Sequence, residues 1–290
     1  MRIVLAVDAS PDSKNAAQVI RHLAEPPVLD VLNVVDEDAL KHAYISPTMP
    51  ADYLETYRQE VTEVAERVLH EMKTELEPYC RHIRLIADSG DAAESIIQTA
   101  EESGADLVIV GQRGMTATPS FLLGGVSQKV ATYAPCSVLV VKEPFARLER
   151  ILVAVDGSEP AHRAVEFLAR CPFKGPVQGA VVTVWPSPRS EALRIPVGST
   201  GRSELKQMVE EKGQELLRNT AGECPRDVYR ITTELLHGDP AFTILDAAIR
   251  FQAQIIVIGS RGMKAIKRFL LGSVSEKVLV HAPCSVLIVR

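Results

Sequence analysis

The sequence predicts two α/β domains in tandem, each a parallel five-stranded sheet with helices on both faces. The first observation behind this is a repeat. Gly111-Gln-Arg-Gly-Met115 returns 148 residues later as Gly259-Ser-Arg-Gly-Met263, and the same offset joins Asp8 to Asp156, Gly90-Asp91 to Gly238-Asp239, Gly124 to Gly272 and Cys136 to Cys284. More than half the residues of 105–141 recur without a gap in 253–289, so each copy is a complete unit. The second observation is alternation of short apolar runs with helical patterns, which implies right-handed crossovers and a parallel sheet. The third is composition. Of 290 residues 46% are hydrophobic but only 5% aromatic, and a core of Val, Ile, Leu and Ala suits buried parallel strands.

In chain order, the first copy has strands at Ile3–Val7, Val28–Val35, Ile83–Ala87, Leu107–Val110 and Val138–Val141. The second has them at Ile151–Val155, Val177–Val184, Tyr229–Leu236, Ile255–Ile258 and Val286–Val289. These runs are nearly continuous in branched residues, as expected of strands buried on both faces. The longest helix lies around Leu54–Leu76, where Leu54, Tyr57, Val61, Val64, Val68, Met72 and Leu76 form one apolar stripe. Its counterpart around Ser203–Leu217 carries Leu205, Met208, Val209 and Leu216. Helices follow at Ala92–Ser103 and Ala241–Phe251, each preceded by an Asp suited to a positive helix N-terminus. The copies differ most over 36–52 against 186–202, stretches rich in Pro, Ser and Thr that read as mobile loops. The domains are therefore 1–142 and 150–290, joined by a linker at 143–149 with Pro144 and several charges.

Several function classes are disfavoured. A net charge of −5 argues against an extended nucleic-acid surface. No stretch approaches a membrane span, and the run Ile3–Val7 is too short for a signal peptide's apolar region, so a cytoplasmic location is expected. The five cysteines form no Cys-x-x-Cys pair; Cys136 and Cys284 read as small buried hydrophobes. No side-chain metal site is expected. No Walker Gly-x4-Gly-Lys-Ser/Thr occurs, and the seven histidines share no equivalent positions, so no His-based catalytic set repeats.

The chemistry-bearing motif follows the fourth strand: Gly259-Ser260-Arg261-Gly262, nine residues, then Gly272-Ser273-Val274-Ser275 opening a helix. Gly259 and Gly262 would let a ligand approach the backbone closely. The first amides of the helix have no internal partner, and the hydroxyls of Ser273 and Ser275 add donors. Such a turn is an anion cradle, with phosphate as the expected anion.

With Ile-Leu-Val-Ala-Val-Asp-Gly-Ser at 151–158 and Ala-Pro-Cys-Ser-Val-Leu-Ile-Val at 282–289, the pattern Gly-x2-Gly-x9-Gly-Ser resembles the universal stress protein family in its tandem form. The resemblance implies the strand order 3-2-1-4-5 and ATP, or ADP or AMP, at the carboxyl ends of strands one and four, with Mg2+ as companion. It places Asp156 beside the ribose and phosphates, Val184 and Val34 at adenine through their backbones, and Ala154 and Ala6 beside the base. Gly259, Ser260, Arg261, Gly262, Gly272, Ser273, Val274 and Ser275 would hold ribose and phosphates. For Asp156 and Asp8 a loop-capping role is the competing reading, and for Trp185 core packing competes with stacking on the base.

The first copy keeps Asp8, Gly111, Arg113, Gly114, Gly124 and Ser127 but has Gly125 where the motif has Ser273. It also has Thr116, Pro119 and Ser120 against Lys264, Lys267 and Arg268, so the second domain is expected to be the better ATP site. The leading expectation is a nucleotide-binding regulatory protein of the stress response acting on protein partners. Slow ATP hydrolysis and a nucleotide-independent chaperone or scaffold are the alternatives. Single-domain members of the family pair through their fifth strands. The two copies are accordingly expected to form an internal pseudo-twofold pair, with whole-chain dimers a further option.

Overall fold

The structure is a computed structural model that describes residues 1–35, 51–115, 122–170, 173–185, 199–262 and 271–290, the side chains of 51–55, 57, 199–203, 205 and 206 excepted. The chain divides into two compact units, Met1–Ala146 and Arg147–Arg290. In the first, the elements are β1 (Arg2–Ala6), α1 (Pro11–Gln18), β2 (Val28–Val35), α2 (Ala51–Leu76), β3 (His82–Ser89), α3 (Ala92–Ser103), β4 (Leu107–Gly111), α4 (Gly125–Tyr133) and β5 (Ser137–Val141). In the second they are β6 (Arg150–Ala154), α5 (Glu159–Arg170), β7 (Val177–Trp185), α6 (Ser199–Glu223), β8 (Tyr229–His237), α7 (Pro240–Phe251), β9 (Ile255–Gly259), α8 (Ser273–His281) and β10 (Ser285–Val289).

Every strand pairing within a domain is parallel. The first sheet runs β3-β2-β1-β4-β5 and the second β8-β7-β6-β9-β10. The chain therefore winds outward from β1 to β3, then crosses back past β1 to β4. In the first domain α2 lies on β2 and β3, while α3 lies on β1 and β2 and packs against α4. The reversal opens a crevice between the carboxyl ends of β1 and β4, where ligands of open α/β sheets bind.

The repeat is not strictly of 148 residues. Val7 N donates to Leu32 O and Val155 N to Val182 O, both at 2.9 Å, so β2 and β7 correspond at an offset of 150. Two extra residues enter between α5 and β7. The variable stretches lie mostly outside the described residues, and their last residues belong to α2 and α6. Lys264, Lys267, Arg268, Thr116, Pro119 and Ser120 also lie outside them.

Burial on both faces holds for the inner strands but not for β3, whose residues are exposed or half-buried as an edge strand's are. There Arg84 makes two bonds of 2.9 Å to Asp30 of β2, a carboxylate whose side chain is 2% exposed. The hydrogen bond and the Asp30 charge raise the Arg84 pKa. In the second domain the same register pair is Ala180 and Thr232, so the fold does not need the ion pair. Arg84→Ala is expected to cost about 2–3 kcal/mol, because it leaves a buried carboxylate with only the distant Arg2 as partner, and this is below the about 3–5 kcal/mol of a fully buried pair. Asp30→Ala with Arg84→Thr, the second domain's own solution, should restore most of that. Urea unfolding of the two variants checks it.

Helix ends follow the sequence. Asp91 caps α3, accepting from Glu94 N at 2.9 Å, and that bond, helped by Lys129 at 3.1 Å, holds its carboxyl below the usual range. Asp239 caps α7. Helix α3 ends on Gly104 at φ 61°, but α7 ends on Gln252 at φ 54°, the equivalent position occupied by a side chain that disfavours the left-handed region. Gln252→Gly is expected to raise the stability of the second domain by up to about 1 kcal/mol, seen as a higher thermal midpoint for that domain.

The stripe on α2 divides. Val68, Met72 and Leu76 are buried, whereas Val64 is 38% exposed and, with Val61, walls a cleft; Leu54 and Tyr57 lie outside the described side chains. In α6 the buried residues include Val209 and Leu217, while Met208 is exposed. Cys284 is buried and Cys136 half-buried. Burial pushes the Cys80 and Cys224 thiols up to about 11, so both are neutral and poor nucleophiles at physiological pH.

Candidate functional site

In the first domain, Ala6, Asp8, Val34, Gly111, Arg113, Gly114 and Ser127 line one cleft of about 510 Å3 at the carboxyl ends of β1 and β4. Most of the residues expected at the site are thus brought together. Gly124 and Gly125 stand at its margin as the cap and first residue of α4. Val61, Val64, Val126, Glu60 and Ser13 also line this cleft, and no sequence motif marks them as site residues.

Val34 occupies a position with a clear backbone consequence. Leu32 O faces β1, accepting from Val7 N, and Val35 O faces β3, accepting from Gly90 N. Backbone groups alternate sides along a strand, so Val34 aims its N–H and C=O toward β1, past the point where β1 ends. The second domain repeats this: Val182 O accepts from Val155 N and Trp185 O from Gly238 N, which turns the N–H and C=O of Val184 the same way. Trp185 itself is 41% exposed at the end of β7, which corrects the core-packing expectation.

Asp8 holds the loop after β1 to the glycine turn after β4. One carboxylate oxygen accepts from the amide and hydroxyl of Ser10, the other from Met115 N at 2.9 Å. Asp156 accepts from Ser158 N at 3.0 Å. The loop-capping role is therefore present in both domains. Ser10 and Ser158 are buried links of the same loop, capping the next helix and reaching Arg113 O and Arg261 O. Their recurrence at the 148-residue offset was a signal available in the sequence.

The glycines have a different physical reason from the one expected. A Cβ on Gly259 would lie 2.6 Å from the carbonyl carbon of Pro160, and one on Gly111 would lie 2.7 Å from that of Asp12. These glycines let the first turn of α5 or α1 sit against the strand end. A Cβ on Gly262 would meet the Asp156 carboxylate at 2.6 Å, and one on Gly114 would meet Asp8 at 2.8 Å. Of the described glycines in the two motifs, Gly125 alone has open space, with nothing within 4 Å.

The serines three residues into the helix motif also turn inward. Ser127 Oγ donates to Gly111 O at 2.7 Å and Ser275 Oγ to Gly259 O at 2.8 Å. Their protons tie helix to strand, which corrects their expected role as donors to phosphate. Ser260 is buried, its amide donating to Val289 O and its carbonyl accepting from Gly272 N. Ser273 stands exposed at the start of α8.

What faces the crevice is the helix N-terminus. Neither Gly124 nor Gly272 offers a capping side chain, and the first intrahelical amides after them are Gln128 N and Glu276 N. The amides of Gly125, Val126 and Ser127, and of Ser273, Val274 and Ser275, therefore have no partner within the helix. The turn lies close by, since a Cβ on Gly272 would stand 3.2 Å from Arg261 Cα. Arg113 is drawn to Asp12, its amide and Nε both reaching one carboxylate oxygen. The position equivalent to Asp12 in the second domain is Pro160.

Fold and crevice define a tandem pair of open α/β domains, each with a helix N-terminus that no side chain caps at the topological switch point of its sheet. The chain belongs to the universal stress protein family, whose model matches residues 1–142 and 147–290. A universal stress protein of Mycolicibacterium smegmatis is 32% identical over 207 residues, 68% of this chain and 66% of that protein. One from Methanocaldococcus jannaschii is 37% identical over 86 residues, 30% of this chain and 51% of that protein. The crystal structure of a universal stress protein from Archaeoglobus fulgidus shares the fold across 100% of this chain and 98% of its own, with TM-score 0.65 at 23% identity. Among the described residues, no helix is long and apolar enough to cross a membrane.

Proposed function

We propose that the chain is a regulatory protein that binds adenine nucleotides at the carboxyl ends of β1 and β4 and of β6 and β9, with ATP foremost in the second domain. The observation that carries this is the uncapped start of α8, three amides at the positive end of a helix dipole folded against Arg261 and Gly262. The backbone of Val184, and of Val34 in the first domain, offers one donor and one acceptor side by side. They suit the ring nitrogen and amino group on adenine's edge, with Ala154 or Ala6 beside the base. The second domain is the stronger site, because Ser273 adds a hydroxyl where Gly125 has none. Mg2+ would accompany the phosphates as a shared counter-charge. A bound nucleotide would favour one of two states of the protein and so present different surfaces to protein partners.

Acid release of small molecules from freshly purified protein, followed by mass spectrometry, tests the reading. ATP or ADP at up to molar equivalence is expected. A preparation free of adenine compounds that also gains no thermal stability from added ATP would overturn it in favour of a nucleotide-independent scaffold.

A further inference from the structure

The two clefts differ in charge in a way that bears on what each accepts, an inference resting on the adenine-nucleotide reading. In the first domain Glu60 of α2 and Asp8 line the cleft, and Asp12 on the first turn of α1 stands beside it, binding the amide and Nε of Arg113. The basic side chain of the glycine turn is thereby matched by a carboxylate of its own domain, and Lys129 of α4 is matched by Asp91 at 3.1 Å. The equivalents of Glu60 and Asp12 in the second domain are Met208 and Pro160. Counting Asp8, Asp12, Glu60 and Arg113 gives three negative charges against one positive. In the second domain Glu159 stands beside Pro160 on the same first turn and Lys212 replaces Val64, so Asp156, Glu159, Lys212 and Arg261 give two against two. The first cleft also lacks the hydroxyl of Ser273 and is walled by Val64 where the second domain has Lys212, which suits a base and sugar better than a polyphosphate.

We propose that the first domain selects an adenine ligand with at most one phosphate, adenosine or AMP, while the second takes the triphosphate. Three uncapped amides at α4 suffice for a single phosphate. A second and third phosphate would extend their charge into a region where carboxylates outnumber cations, a repulsion that low-dielectric walls strengthen. One chain would then register both ends of the adenylate pool at once.

The test is calorimetric titration of adenosine, AMP and ATP, in metal-free buffer, into the full chain carrying Gly272→Val, which closes the cradle of the second domain. In parallel, Trp185, the chain's single tryptophan, reports on the second domain of the wild type by fluorescence. The Gly272→Val chain is expected to bind AMP at least tenfold more tightly than ATP, and Trp185 to respond to ATP at lower concentration than to AMP. Adding Asp12→Asn and Glu60→Met should bring the AMP-to-ATP ratio of the first domain toward one. If Gly272→Val does not fold, the wild type carries the same test: calorimetry must show an AMP site that Trp185 does not see. ATP binding as tight as AMP in the first domain, or a ratio unmoved by the two substitutions, would overturn the division of ligands. So would ATP bound in the second domain with no adenine compound in the first, leaving the adenine reading intact. Absence of any adenine binding in either domain would overturn both.

Discussion

Gly259→Ala is expected to melt the second domain at a lower temperature by several degrees and to abolish nucleotide binding there. The added methyl would stand 2.6 and 2.7 Å from the carbonyl carbon and oxygen of Pro160 and 2.9 Å from Ala161 N. All three are backbone atoms, so no rotamer change relieves the contact, and the first turn of α5 must move off the strand. Overpacking of this kind costs about 1–3 kcal/mol, occasionally more. The displacement also drags Ser158, which reaches Arg261 O in the glycine turn and donates its amide to Asp156. Gly111→Ala should do the same to the first domain through Asp12. Gly125→Ala is the control: its methyl meets nothing within 4 Å, and in a helix alanine is favoured over glycine by about 1 kcal/mol. Scanning calorimetry separates the outcomes. Gly259→Ala melting with the wild type would show that α5 does not approach the strand end this closely.

The contrast between Gly259 and Gly125 also marks what the sequence could and could not disclose. Strand positions were legible because branched apolar runs bounded by Gly, Pro and Asp have few alternatives. The caps at Asp91 and Asp239 were legible because Gly-Asp before an apolar periodic stretch is a local signal. The strand order came with the family resemblance. Roles that depend on tertiary approach were not legible. A glycine against a helix backbone and a glycine open to a ligand look alike in sequence, and so do Val68 in the core and Val64 on the cleft wall, four residues apart on one stripe. Ser127 and Ser275 look like phosphate donors until their protons are found on strand carbonyls. The two-residue slip at β2 and β7 was hidden because Leu, Val and Ala fill both registers.

Ser273→Ala is expected to weaken ATP binding to the second domain by roughly ten- to a hundredfold, and Gly125→Ser to strengthen it in the first domain by a similar factor. A hydrogen bond from a hydroxyl to a charged phosphate is worth about 1.5–3 kcal/mol, which converts to that ratio. The two positions are equivalent, each the first residue of a helix whose glycine cap supplies no side chain, so one substitution undoes what the other installs. The open space at Gly125 means that the new serine displaces nothing. Two effects work against the full factor. The amide of Gly125 already serves a phosphate without the hydroxyl, and Mg2+ neutralises charge that the protein would otherwise meet. Gly272→Val, which forces a branched side chain toward Arg261 and Ser260, should remove more binding than Ser273→Ala and so isolates the first domain. Calorimetric titration of ATP into Gly272→Val, with and without Gly125→Ser, then reads the hydroxyl alone. Equal affinities in that pair would mean that the hydroxyl does not reach the phosphates and that the inequality of the two domains has another origin.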